Sequence, residues 1–551
     1  ISEDPTVTTT HRPPSRRSIA SIVVVRRRLR RGLLGRLTLI PEVRRPYDYS
    51  KGTKWGITAV VSLATVSAPL GSSIFYPALQ SLAADLGTSS TATNLSVAMY
   101  MLAMSIFPLW WSSLCELLGR RSIFLVSTGL FVLFSLSCAV STSATMLVIF
   151  RVLTGGASAS KSFFSSSWFK VYLYFSFSFS FSFSFSFSFS FSFSFFFFFL
   201  FFFLFFFIFL IHLILPPPCS HIGVQTVGAG TISDIWQPHE RGTAFGAFYL
   251  GPLLGPMVAP VVGGLLSQAF GWRSTMYFLA AYGALLCLLL LLLLPETLSP
   301  DPDDPPRAAV KHLLLDPLRV LLCLRFPAVL LTVLVAAIAF GALFVINVSI
   351  QQSFSASPYG YSQFIIGLLY LPTGLGYFLG SLLGGRWIDH VMVRRARKAR
   401  RYDEKGRLVY LPEDRMGENM WLATVVYPLG ILLFGWTINY GLHWIVPSIG
   451  GFFFGMGSMI VFATSTTMLT EFVNKRSSAG VATNNFVRNI LSCVGTVVAA
   501  PWLDAIGPGY VFTAVALFCL VAGLVGMWLL AKNACRWRRQ MDEALNSGAA
   551  S

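Results

Sequence analysis

The residues with chemistry to offer are few, and they lie in apolar surroundings. Arg151 opens the run Arg151-Val-Leu-Thr-Gly-Gly156, directly after Met146-Leu-Val-Ile-Phe150. A second set, Asn484-Asn485-Phe-Val-Arg488-Asn489, sits in another apolar stretch. Asn485 and Arg488 are three apart and Asn489 is four past Asn485, so these three share a helical face. Asn347, with Gln351 and Gln352, and Tyr76 are further polar groups in apolar runs. For these, solvation at a helix end competes with a functional role. A guanidinium in hydrocarbon costs about 2.5–3.5 kcal/mol on insertion scales, so it must face a watery or hydrogen-bonding interior. For Arg151 the competing reading is a purely structural hydrogen-bonding arginine. Such groups can hold and pass a polar or amphipathic molecule. Bond-breaking chemistry is not expected, since no nucleophile elbow, metal-ligand cluster or phosphate loop is present. Neither a metal nor an organic cofactor is expected.

The surroundings define the class. Of 551 residues, 54% are hydrophobic and 12% charged, with a mean hydropathy of +0.67; soluble domains carry about twice that charged fraction. A water-soluble enzyme is excluded. The net charge of +18 does not imply a nucleic-acid partner, because so apolar a chain has no soluble surface on which to display the field. The eight cysteines are scattered, mostly in apolar runs and without ligand spacing, and read as small buried hydrophobes. No cleavable signal peptide is expected from the Arg-rich start, and Ile1 in place of Met implies residues upstream.

A bilayer core needs roughly 20 apolar residues per helix. Apolar segments fall at about 55–79, 92–115, 122–141, 144–160, 243–267, 273–294, 326–349, 362–386, 420–439, 443–470, 478–503 and 508–531. A Pro/Asp-rich connector, 295–325, divides them six and six. The expected fold is therefore all-α: a polytopic membrane protein of twelve transmembrane helices in two six-helix pseudo-symmetric bundles, 55–294 and 326–531. Residues 1–54, with eleven arginines before position 50, read as a solvated basic cytoplasmic tail; a lipid-touching helix near 20–40 is the alternative. Residues 532–551 form a second cytoplasmic tail. Cations favour the inner connections. With the N-terminus inside, those connections hold Arg120, Arg121, Arg241, Arg307, Lys311, Arg319, Arg325, nine cations from Arg394 to Arg415, Lys475, Arg476 and the cations from Lys532 to Arg539. The outer connections hold only Arg273.

One segment breaks the pattern. Residues 161–223 contain ten Phe-Ser pairs from Phe175 to Ser194, then a Phe/Leu run to Leu215, and hold 25 of the 50 phenylalanines. A lone strand cannot satisfy its backbone in lipid. A thirteenth span would put the nine-cation loop outside, against the charge rule. Phe, Ser, Leu and Pro can all be written with pyrimidines alone. Ser160-Lys161 is compatible with A|GTAAG and Ile222-Gly223 with ATAG|G, which are intron-like edges. A retained intron or gene-model error is the favoured reading. Excision joins Ser160 to Val224 and restores one helix-length fourth span.

Other motifs concern motion rather than binding. Trp111-Ser-Ser-Leu-Cys-Glu116-Leu-Leu-Gly119-Arg120-Arg121 follows the second span. An acid at a helix end can pair with Arg120, with Arg121 or with a helix N-terminus, and so lock one of two states. Simple anchoring of the inner face by the two arginines is the alternative. Gly385-Arg-Trp-Ile-Asp389 repeats the glycine-to-acid spacing after the eighth span, as expected of a two-fold repeat. The fifth span carries Gly251-Pro252, Gly255-Pro256, Pro260 and Gly263-Gly264, which predicts a bent, tightly packed helix. No Asp or Glu sits in the middle of a span. Asp85 and Asp234 are the weak candidates for a titrating group.

These motifs resemble those of the major facilitator superfamily: its loop signature at 111–121, its R-x-x-Q-G site at Arg151 with Thr154 in the glutamine place, and its antiporter signature in the fifth span. Together with Asn94-Leu-Ser-Val-Ala-Met-Tyr-Met101, Trp110-Trp111, Asp234-Ile-Trp236, Glu240-Arg-Gly242, Pro295-Glu-Thr297 and residues 478–489, they resemble fungal twelve-span drug:proton antiporters. The quinidine-resistance and dityrosine-exporter branch is the nearest likeness. The resemblance implies alternating access about a cavity lined by Arg151, Asn347, Asn484, Asn485 and Arg488. It also implies gating by Glu116, Gly119, Arg120, Arg121, Gly251, Pro252, Gly255, Pro256, Gly263, Gly264, Gly385 and Asp389. A proton is the implied coupling ion, a small amphipathic molecule the substrate, and the plasma membrane the location. The partners expected are that substrate and the lipid bilayer, with no nucleic acid, and the chain is expected as a monomer. Two other readings stand beside it: a non-transporting membrane sensor of the same fold, and an inert mis-spliced product.

Overall fold

The computed structural model describes residues 30–43, 45–158, 231–232, 234–236, 241–297, 320–402, 410–472 and 477–547. The whole 161–223 insert, residues 1–29 of the basic segment and residues 298–319 of the connector lie outside these residues. The described chain is helical. In order it forms α1 (Lys51–Ser73), α2 (Leu79–Asp85), α3 (Ser90–Leu118), α4 (Arg120–Ala139), α5 (Ala144–Ser158), α6 (Arg241–Phe270), α7 (Arg273–Leu293), α8 (Pro327–Ser355), α9 (Gln363–Leu368), α10 (Leu371–Lys398), α11 (Glu418–Asn439), α12 (Ile445–Phe472) and α13 (Ser477–Ser547).

Local signals set several boundaries. The Ser50 hydroxyl accepts the Thr53 amide at 3.3 Å and caps α1. Proline opens α8 at a position where its missing N–H costs nothing. Gly507, with φ +77, breaks α13 into two arms at Gly507-Pro508. Among the described residues, nine helical stretches are long and apolar enough to cross a bilayer. The last of them, 483–541, contains the Gly507 break. Ala144–Ser158 and Gly255–Phe270 are shorter apolar helices. Counting both arms of α13 and both short helices gives the twelve apolar segments expected. α8 is apolar on every side and buried along most of its length, as befits the central helix of its bundle.

The two halves meet where α3 packs on α13 and where α6 packs on α9 and α10. These are the second span on the eleventh and the fifth on the eighth. Exchanging the halves turns one pair into the other, which is the signature of a pseudo-two-fold repeat. Close approach is written into α6: a side chain at Gly263 would run into the Ile74 carbonyl, and one at Gly264 into the Gln363 carbonyl. Only glycine fits there.

Two expectations need correction. Residues 30–49 are not a solvated tail. Glu42 and Val43 are buried, Arg31 Nε meets Glu42 Oε1 at 2.7 Å, and Arg30 Nη1 donates to the Thr38 carbonyl at 2.6 Å. The segment folds back on itself beneath the bundle because its arginines find a carboxylate and carbonyls there. Tyr49, whose hydroxyl donates to the Pro41 carbonyl at 3.0 Å, closes the fold; burial pushes its phenol up to about 12. The helix of the eighth span also runs on past its apolar end near 386. α10 continues to Lys398, since 386–398 holds no Pro or Gly, is rich in helix-forming Arg, and ends in cations that suit a helix C-terminus. Gly385 and Asp389 are therefore on a helix, not in a loop.

Candidate functional site

Arg151 is fully buried on α5. Its Nη1 donates to the Gly71 carbonyl of α1 at 2.8 Å. The guanidinium lies over the Phe75 ring at 4.9 Å and the Tyr100 ring at 4.5 Å, an attraction between a cation and the electron-rich ring faces. Its Nε and Nη2 have no hydrogen-bond partner. Two guanidinium nitrogens without an acceptor on a buried cation are costly. No ion pair is made by Arg151 among the described residues. Tyr100 is fixed in turn: its hydroxyl is 3.0 Å from the Ala68 carbonyl and 2.8 Å from Ser158 Oγ. Thr154, in the glutamine place, donates to the Phe150 carbonyl at 2.7 Å and lies 3.7 Å from the Cys138 sulfur of α4.

The C-terminal half presents a similar box. The Arg488 guanidinium lies over Phe340 at 4.2 Å and Phe462 at 5.0 Å. Asn484 is fully buried, and neither its Oδ1 nor its Nδ2 has a hydrogen-bond partner. Asn485 is half-buried. Asn489 reaches across the interface and donates to the Met104 carbonyl of α3 at 3.3 Å; beside it Ser105 donates to the Phe486 carbonyl at 2.8 Å. The Tyr370 hydroxyl donates to the backbone carbonyl of Asn347 at 2.7 Å.

Tyr76 joins the two boxes. It is fully buried, stacks on Tyr370 at 6.0 Å and lies 6.5 Å from Phe344. Its hydroxyl turns toward the Asn347 and Thr496 side chains without a closed hydrogen bond to either, and it is close enough to Arg151 to feel its charge. The structure thus brings Arg151 and Asn347 to one buried aromatic cluster around Tyr76, where the expected passage would run. Phe344 in turn touches Phe340, the ring beneath Arg488, at 5.3 Å, so the C-terminal box is continuous with the same rings. The tyrosine and phenylalanine walls were not legible in the sequence, where aromatic residues recur in every span; only the weak candidate Tyr76 pointed to them.

The basic end of the N-terminal bundle carries a separate network. Gly119 has φ +85 and caps α4. Pressed against it, Glu296 accepts the amides of Arg120 at 3.0 Å and Arg121 at 3.2 Å, so a carboxylate sits on the positive end of a helix. Arg120 Nε pairs with Asp234 Oδ2 at 2.5 Å. The Arg121 guanidinium donates to the carbonyls of Leu33 and Leu34 at 3.0 Å, of Leu291 at 2.9 Å, of Leu290 at 3.3 Å, and of Leu294. The acid seen at this helix start is Glu296 of the sixth-span end, which sequence spacing did not single out. Glu116, Gly251 and Pro252 lie outside the described side chains.

The remaining positions are resolved individually. Gly255 packs against Pro69, with Pro256 beside it. Gly385 faces open space, and exposed Asp389 accepts from Arg415 Nη1 at 3.1 Å. Asp85 receives Trp272 Nε1 at 2.9 Å and pairs with Arg273. Both weak candidates for a titrating group, Asp85 and Asp234, are thus held in ion pairs at helix ends, away from the aromatic cluster. Among the described residues, no group of His, Cys, Asp and Glu could hold a metal ion.

Comparison with known proteins agrees with this geometry. The sequence profile of the Major Facilitator Superfamily matches residues 61–162 and 220–496 and passes over the segment between. The chain is 29% identical to the MFS antiporter QDR3 of Candida albicans, covering 92% of this chain and 82% of that protein. It is 25% identical to Quinidine resistance protein 3 of Saccharomyces cerevisiae, covering 94% and 88%. The MFS transporter OpS2 of Beauveria bassiana is 42% identical over 56% of this chain and 95% of its own length. Among solved structures, a D-xylose-proton symporter superposes with a TM-score of 0.56 at 14% identity, covering 86% of this chain and 97% of that one.

Proposed function

This chain belongs to the major facilitator superfamily and is an integral membrane transporter, and from that premise we propose that it exports amphipathic drugs or small metabolites in exchange for protons. The single observation that carries the reading is Arg151: a fully buried cation between two aromatic rings, with two of its three guanidinium nitrogens left open. An amphipathic ligand supplies what that site lacks, an acceptor oxygen for the free donors and an apolar body for the rings. The antiporter and drug-resistance names of the relatives favour outward transport and a proton as coupling ion. The halves would rock about the α3–α13 and α6–α10 contacts, with the Glu296-capped end of α4 as a rigid corner. The protein acts as a monomer in the plasma membrane, with both termini cytoplasmic and no cofactor.

The test is flux. The spliced form, reconstituted in vesicles with an imposed pH gradient, should accumulate an amphipathic cation such as quinidine against its gradient, and collapse of the gradient should stop it. Flux that ignores the gradient would remove the proton from the mechanism. Ligand binding without flux would make the protein a sensor.

A further inference from the structure

Where α10 leaves the apolar zone, its exposed side keeps its direction but changes its chemistry. Leu375, Leu382 and Leu383 are exposed on this helix. Arg386, Asp389, His390, Val393 and Arg397 follow them at helical spacing, so one continuous face runs from leucine to arginine. Along it lies a hollow of about 490 Å³ lined by Arg386, Asp389, His390, Val393, Arg394 and Arg397. Asp389 is engaged by Arg415, and Arg394 by Glu418. Arg386 and Arg397, about three turns apart on one side, make no ion pair among the described residues. The lining is thus cationic where it is unpaired, and the approach to it is apolar.

We propose that this hollow binds the phosphate-bearing headgroup of an anionic phospholipid, with the acyl chains lying along the leucines of the same helix. Arg386 and Arg397 supply the forked donors that suit phosphate oxygens, and His390 adds a ring N–H between them. Charge complementarity and the unbroken leucine face both select a lipid over a soluble anion. The site lies outside the aromatic cluster and does not depend on the transport reading.

Lipid retention in purified full-length protein tests it. The protein is taken from vesicles of phosphatidylcholine with about one-fifth phosphatidylserine, and bound lipid is counted by native mass spectrometry. Wild type should retain phosphatidylserine over phosphatidylcholine. Arg386→Gln with Arg397→Gln should lower that retention on the order of tenfold. Arg386→Lys with Arg397→Lys, which keeps the charge, should retain most of it. Arg536→Gln with Arg539→Gln, an equal charge loss on exposed positions of α13, should leave it unchanged. Equal losses in the two glutamine pairs would mean a diffuse surface field and overturn the site, as would equal retention of the two lipids by wild type. Displacement of the lipid by inorganic phosphate would make it a free-anion site instead.

Discussion

Glu296 caps the helix that Arg120 begins: its carboxylate accepts the Arg120 amide at 3.0 Å while the Arg120 side chain pairs with Asp234 at 2.5 Å. Three segments far apart in sequence are thereby fastened at one point. Replacing Glu296 by Gln keeps the shape but removes the charge from the helix terminus. The expected cost is about 1–3 kcal/mol, seen as a lower melting temperature in detergent. An unchanged melt would show that the carboxylate contributes only its shape.

Arg151→Ala should abolish export and leave surface expression intact. Arg151→Lys should rescue little, because an ammonium lacks the planar face that lies on Phe75 and Tyr100. The measurement is vesicle flux beside a surface-expression count. Export by the alanine variant would take this residue out of the transport path.

Gly263→Ala should destabilise the protein by about 1–3 kcal/mol, because the added methyl meets the Ile74 carbonyl of the neighbouring segment. Gly129→Ala, where nothing lies within 4 Å of the new Cβ, serves as the neutral control. Thermal unfolding of the pair reads the difference, and equal melts would contradict the close approach of α6.

Alkaline pH should release residues 30–49. The folded phenol of Tyr49 titrates at about 12 against an ordinary 10, so the folded state favours the neutral form. Its stabilisation is complete below pH 10 and lost as the pH climbs through 12. Limited proteolysis within 30–49 should rise over that window, and Tyr49→Phe should remove the step. A step that persists in the Phe variant would assign it to another group.

Sequencing the transcript across the codons of Ser160 and Val224 should find them joined. The superfamily profile passes over 163–219, which supports excision. A mature message carrying the Phe-Ser repeat would overturn it.

The all-helical membrane class and the burial of Arg151 were legible because hydrocarbon penalises charge so steeply that apolar length and a lone buried cation stand out in a single sequence. The aromatic walls were not: Phe75, Tyr100 and Phe340 look like any lipid-facing ring until packing turns them inward. The Glu296 cap was hidden for a different reason. Glu296 and Arg120 are 176 residues apart, and only the return of the sixth span to the same end joins them. The fold of residues 30–49 was masked by its arginines, whose number suggested solvent while Glu42 and a set of carbonyls had already claimed them. At Gly385–Asp389 spacing misled, since a glycine-to-acid interval fits a helix as readily as a turn.

The continuation of α10 to Lys398 has a mechanical meaning. The twelve residues past Arg386 make a stiff rod of about 18 Å, anchored at its base in the C-terminal bundle. Ion pairs from Asp389 to Arg415, from Arg394 to Glu418 and from Arg401 to Asp414 strap the rod to the segment that follows, so it moves as one body with its bundle and carries any tilt outward in proportion to its length. A dye at position 398 paired with one at the start of α4 would make each turn of the transport cycle visible from outside the bilayer, without touching the passage.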